Sequence, residues 1–201
     1  MLKAKKGEFG YFSYERWRRF LVTLILFAIP MLILISGIIY SGSEKNILTV
    51  VAIVGLIPFS MSFVSLIMVF LHHSISKEEY DAISPHEGSL TMAYELYVTN
   101  EAHSTMVDSI AVCGNTIVGF VTDKKGDMRF TQSYIEKILR ANGFHVTVNL
   151  MDNLSHYLER LDSMNAHADS LRKDIPYTPD PKYPDYSREE LVWHTLLQIS
   201  L

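Results

Sequence analysis

The chain has 201 residues, 48% of them hydrophobic, and its 18 Lys/Arg against 22 Asp/Glu give a net charge of −4. That charge is divided unevenly: residues 1–20 carry six basic and two acidic side chains, whereas residues 72–201 carry 11 and 19. An acidic C-terminal part argues against a phosphate- or nucleic-acid-binding surface there, and the single cysteine, Cys113, excludes an intrachain disulfide and a Cys-based zinc site while fitting a reducing compartment.

In residues 1–19, Tyr11, Phe12, Tyr14 and Trp17 are interspersed with Arg16, Arg18 and Arg19. Two charge-free apolar runs follow at 20–40 and 47–71, separated by SGSEKN. Each reaches the roughly 20 residues that cross a bilayer's hydrocarbon core. The pair predicts a transmembrane hairpin. In the first run 14 of 21 residues are Leu, Ile, Val or Phe, which favours insertion by about 4 to 8 kcal/mol. A cleaved signal peptide fits less well, because the run is too long, no small-x-small cleavage site stands out and a second span follows at once. Basic residues flanking a span stay on the cytoplasmic side. We therefore expect a bacterial inner (plasma) membrane protein with both termini cytoplasmic, and Trp17, Arg18, Arg19, Tyr40 and His72 at the membrane interface. Neither span contains an ionisable residue, so the usual mark of an ion path is missing. Pro30 and Pro58 fall near mid-span, where neighbouring helices can re-satisfy the backbone.

A cytoplasmic α+β domain is expected over 74–173. A short helix capped by Ser76 opens it. Strands follow at 90–99, 106–113 and 116–122, the last two joined by the turn pair Gly114-Asn115. A helix at 132–142 with Gly143 as its C-cap, a strand at 144–150 and a helix at 153–172 complete the order α-β-β-β-α-β-α, with a mainly antiparallel sheet covered by helices. Four prolines make 174–186 an extended connector. A terminal helix at 187–201 begins with the capping-box pair Ser187 and Glu190. Its apolar Leu191, Trp193, Leu196 and Leu197 either pack back on the domain or dock a partner, with the membrane surface as a third option.

Few residues suggest chemistry. No Walker loop, G-x-G-x-x-G, G-x-S-x-G or zinc-type histidine spacing occurs. Asp108 in the second strand, with Asp123 and Lys125 after the third, forms a D…D-x-K pattern. With the α-β-β-β-α-β order, this pattern resembles the PD-(D/E)xK, restriction-endonuclease-like nucleases. The resemblance implies carboxylates that hold Mg²⁺ and a lysine that stabilises transition-state charge. Val107 stands where that motif has proline, and Asp123-Lys124-Lys125 reads as a polar turn, so a catalytically silent relative or a different α+β fold is preferred. MAYELYVT and VDSIAVCGNTIVGF, with the basic aromatic start and the tight hairpin, also give the chain a resemblance to uncharacterised bacterial two-span membrane proteins. That resemblance implies a membrane location and no particular activity.

The expectation is a membrane-anchored protein whose domain binds another protein or itself, without catalysis and without a cofactor. No small-molecule substrate is identifiable and nucleic acid is not expected. Two alternatives stand beside it: a membrane-tethered nuclease using Mg²⁺, and a small accessory subunit of a membrane complex.

Overall fold

The computed structural model describes residues 4–71, 74–99, 104–123, 127–173, 175, 177 and 183–200. His72 and Lys125 lie outside them, as does most of the proline-rich connector. The chain divides into two compact units, one spanning 12–73 and the other combining 4–11 with 74–201.

The first unit is the hairpin. Helix α1 (Tyr11–Ser41) and helix α2 (Ile47–Leu71) are both long and apolar enough to cross a membrane. Helix α1 begins nine residues before the predicted span, because no helix breaker separates the aromatic and basic turns from the apolar run. Gly42, at φ 65°, ends α1, and the Asn46 side chain accepts the Thr49 amide at 3.0 Å to cap α2. Pro30 and Pro58 sit inside unbroken helices. Gly55 lets the two backbones approach, since a Cβ there would stand 3.1 Å from Pro30 Cγ. The Thr23 and Ser62 hydroxyls are 2.7 Å apart across the pair. Interhelical polar contacts of this kind fix register where no hydrophobic force between helices operates. Large apolar side chains such as Ile39, Ile47 and Met61 point outward, more than 70% exposed, as a lipid-facing surface requires.

The second unit is a four-stranded mixed sheet between two helical layers. Its elements are α3 (Lys77–Ile83), a 3₁₀ turn (Ser84–His86), β1 (Thr91–Thr99), β2 (Ser104–Cys113), β3 (Thr116–Phe120), α4 (Met128–Ala141), β4 (Thr147–Met151), α5 (Leu154–Ala166), α6 (Ala168–Arg172) and α7 (Arg188–Ile199). The sheet order is β1-β2-β3-β4, with the first two pairings antiparallel and β3–β4 parallel. The parallel pair follows from the α4 crossover, which a tight turn cannot replace. On one face Ile110, Val112, Ile117 and Val148 pack with Ile135 and Leu139 of α4 and Val192 and Leu196 of α7. On the other, Ala111, Cys113, Val118 and Phe120 pack with Ile83 of α3, Tyr157 and Leu161 of α5, and Ala168 of α6.

Ser76 and Ser187 are capping-box N-caps, and Cys113 pairs with Thr116 across the two-residue Gly114-Asn115 turn. Other boundaries differ from expectation. Helix α4 starts at Met128 because the Asp127 carboxylate accepts the Phe130 amide at 3.0 Å. Strand β4 starts at Thr147 because Gly143, at φ 85°, and Phe144, whose amide reaches Leu139 O, still close α4. The helix expected over 153–172 is broken at His167, whose ψ of 17° is not helical. The break brings α6 against the β2–β3 turn, where a Cβ at Gly114 would stand 2.1 Å from the Leu171 carbonyl oxygen.

Candidate functional site

Asp108 lies on β2 between residues that pair regularly with β1: Ser109 faces Tyr94 and Val107 faces Leu96. The residue opposite Asp108 is Glu95, whose φ of 56° is the one positive value among described non-glycine residues. Both carboxylate residues are 1% exposed. The strands change face here together. Tyr94 joins the core beneath α5, whereas Ala93 and Leu96 both join the core beneath α4 and α7, which regular alternation forbids. On β2, Val107 and Ile110 share a core in the same way. Holding Glu95 in this conformation costs about 1–3 kcal/mol.

Polar neighbours secure the irregularity. The Ser74 hydroxyl donates to Glu95 Oε1. Asp108 Oδ2 accepts the Thr122 amide at 2.6 Å, and Thr122 Oγ1 donates to Glu79 Oε1 at 3.2 Å. Asp108 thus closes the end of β3 by taking a backbone donor that the sheet leaves over. Asp123 follows, half-buried, and the Lys125 position of the D-x-K pattern lies outside the described residues. Among the described residues no three His, Cys, Asp or Glu side chains gather at metal-ligand spacing.

A cleft of about 280 Å³ opens where α6 and the start of α7 meet the β2–β3 turn, lined by Gly114, Arg172, Ile175, Tyr177 and Ser187–Glu189. Its charges are engaged within the protein. Arg172 Nε donates to Glu189 Oε1 at 2.9 Å and Nη2 to Ser89 O at 2.7 Å. Arg188 donates to Gly114 O at 2.7 Å and to Asn115 Oδ1. Burial alone pushes the Glu189 carboxyl up, but hydrogen bonds from Arg172 and the Gly114 amide outweigh it and hold the group below the usual carboxylate range. Burial lowers Arg188 from its ordinary value.

The apolar residues of α7 face inward. Leu191 and Leu196 are buried, Trp193 Nε1 donates to Met92 O at 2.8 Å, and Leu197 packs against the core. Residues 4–11 cover what α7 leaves open: Gly7 O accepts the Tyr94 amide at 2.8 Å, Lys6 Nζ donates to Ser200 O at 2.6 Å, and Phe9 stacks on Tyr80 at 4.0 Å. Nothing in the composition of these residues distinguishes them from a flexible basic tail, and only Gly7 and Gly10 hint at a shaped backbone.

Of the residues expected at a membrane interface, Trp17 is 53% and Tyr40 91% exposed. Arg18 and Arg19 both donate to Glu15, at 2.9 and 3.1 Å, and Arg19 also reaches the Ser65 hydroxyl on α2. Glu15 is only 4% exposed, and its i+3 and i+4 spacing to the two arginines is the signal that identifies it. The chain matches no protein-family model, no curated protein and no solved structure. The likeness to two-span bacterial membrane proteins accordingly rests on architecture alone: two long apolar helices followed by a small mixed-sheet domain.

Proposed function

We propose that the protein is anchored by the α1–α2 hairpin in a bacterial inner membrane and that its acidic α+β domain binds another protein on the cytoplasmic side, without catalysis. The observation that carries this reading is the composition of the second unit. Residues 4–11 and 74–201 belong to one compact body, so the chain leaves and re-enters the same domain around the hairpin. A domain built from both flanks of two spans sits on one side of the bilayer, and the basic residues before α1 favour the cytoplasmic side. Among its described residues only Tyr186 is a large, strongly exposed apolar side chain. With 19 acidic against 11 basic residues over 72–201, recognition is electrostatic and the partner presents a basic surface. Crosslinking in intact cells followed by purification of the full chain tests this. A partner recovered at low salt and lost at high salt is expected. Turnover by the purified full chain that Asp108→Ala abolishes would overturn it.

A second reading, the metal-dependent nuclease, is favoured by one specific feature. The order α3-β1-β2-β3-α4-β4, with Asp108 on β2 accepting the Thr122 amide just past the end of β3, is compatible with the element order that the PD-(D/E)xK resemblance implies. Mg²⁺-dependent cleavage of DNA by the wild-type chain, absent from Asp108→Ala and Asp123→Ala, is the result that would establish it.

A further inference from the structure

The acidic total of the second unit hides a local exception on α4. Thr131, Ile135 and Leu139 of this helix turn to the core, and its opposite side carries Arg129, Ser133, Lys137 and Arg140, all exposed. Among the described residues no carboxylate pairs with any of these three cations. The acids at hand are engaged with backbone amides instead. Asp127 Oδ1 accepts the Phe130 amide at 3.0 Å, and Glu136 Oε1 accepts the Val148 amide at 2.8 Å. On α7, which covers the same face of the sheet, the Glu190 carboxylate accepts the Ser187 amide at 2.7 Å. Phe130 and Tyr134 stack beside the stripe, with centroids 6.4 Å apart.

The helices on the other face of the sheet have the opposite sign. There α3, α5 and α6 expose Glu78, Asp81, Glu159, Asp162 and Asp169 against Lys77 and Arg160. Charge is thus divided between the two helical layers, within a total of 19 acidic and 11 basic residues over 72–201. Such a body turns its positive stripe toward an extended anionic surface and is repelled in other orientations. The stripe from Arg129 to Arg140 spans about 16 Å of helix, too long for one phosphate group and suited to a surface of them. A chain anchored in a bilayer always has that surface beside it, and tethering lets a few weak contacts suffice. A free polyanion has no such tether and meets the acidic remainder of the domain.

Resting on the membrane reading above, we propose that the α4 stripe of Arg129, Lys137 and Arg140 docks the domain on the acidic phospholipid headgroups of the adjoining leaflet. Phe130 and Tyr134 then lie at headgroup level, where aromatic rings are favoured. The full chain carrying Ser133→Cys, spin-labelled there with the buried Cys113 left in place, is reconstituted in nanodiscs of phosphatidylcholine alone or with phosphatidylglycerol. Ser163→Cys, exposed on α5 across the sheet, is the control. The acidic lipid should protect position 133 from an aqueous nickel chelate and leave position 163 accessible. Arg129→Gln, Lys137→Gln and Arg140→Gln should each lower the docked-to-free ratio about fivefold, the ratio that about 1 kcal/mol per basic side chain gives. The triple variant should lose the protection, and Arg129→Lys with Arg140→Lys should keep it. Equal exposure of position 133 in the two lipids, or protection that survives in the triple variant, overturns the proposal. So does protection in lipid-free detergent, which assigns the stripe to a second copy, or protection by poly(U) RNA with none by the acidic lipid. Release of the chain from membranes by alkaline carbonate defeats the membrane reading itself and this proposal with it, whereas a chain that stays in the membrane with position 133 exposed defeats the docking alone.

Discussion

Glu189 is a residue where burial and pairing oppose each other. It accepts from Arg172 Nε at 2.9 Å and from the Gly114 amide at 2.6 Å, tying α7 to α6 and to the β2–β3 turn at once. Its folded pKa lies below the ordinary 4.5. Its contribution is therefore complete above the unfolded value and lost as the pH falls through the lower folded value. Glu189→Gln should cost about 1–2 kcal/mol at neutral pH. The gap to wild type should narrow as the pH falls below the ordinary carboxylate value and through the lower folded one, read as urea midpoints of the full chain in detergent. Tyr157 on α5 is a second such residue. Its hydroxyl is 2.9 Å from Ser109 Oγ inside the core, and burial pushes it above the usual phenol range. Tyr157→Phe should cost about 1–2 kcal/mol by leaving Ser109 without that partner. Neither pair can be read from sequence, because the members lie far apart in the chain and each is unremarkable in its own segment. Asp108 could be singled out by motif, but its facing partner Glu95 could not, although a lone acid inside the strand pattern MAYELYV is a visible irregularity.

At the scale of elements, α7 is held by its apolar face. Leu196 is 1% exposed against α4 and the sheet, so Leu196→Ala should destabilise the domain by about 2–5 kcal/mol. A helix reserved for a partner would show no such loss in the isolated full chain, and thermal unfolding distinguishes the two. The segment before α1 is held by backbone pairing and close fit. Gly7 has φ 89°, and a Cβ there would stand 2.8 Å from Leu197 Cδ2 and 3.3 Å from Trp193 Cζ2. Gly7→Val should weaken its docking by about 1–2 kcal/mol and raise tryptic cleavage after Lys5 or Lys6 about tenfold. Periodicity placed the elements correctly where side chains alternate or recur, as in β1, β2 and α2. It failed at ends decided by a single capping contact, as at Asp127 and His167.

At the scale of the whole molecule, the hairpin interrupts a domain rather than preceding one. Residues 4–11 and 74–201 must then share one side of any bilayer the spans cross. In inverted membrane vesicles, trypsin should reach sites in both segments, and in right-side-out vesicles neither; cleavage of only one segment would contradict the paired arrangement. The full chain should resist alkaline carbonate extraction, because two spans with about 14 strongly apolar residues in the first alone favour the bilayer by several kcal/mol.

The sequence by itself determined the two long apolar helices, the local order of helices and strands, the Gly114-Asn115 turn and the serine caps at 76 and 187. These depend on composition and on neighbours within a few residues, where hydropathy and hydrogen-bonding geometry act directly. Only the tertiary structure decided that the sheet is mixed, that α7 and residues 4–11 complete one domain, and that Glu95 faces Asp108. Each of these joins residues distant in the chain, and the energy that joins them is burial and pairing across packed elements, which no local pattern records.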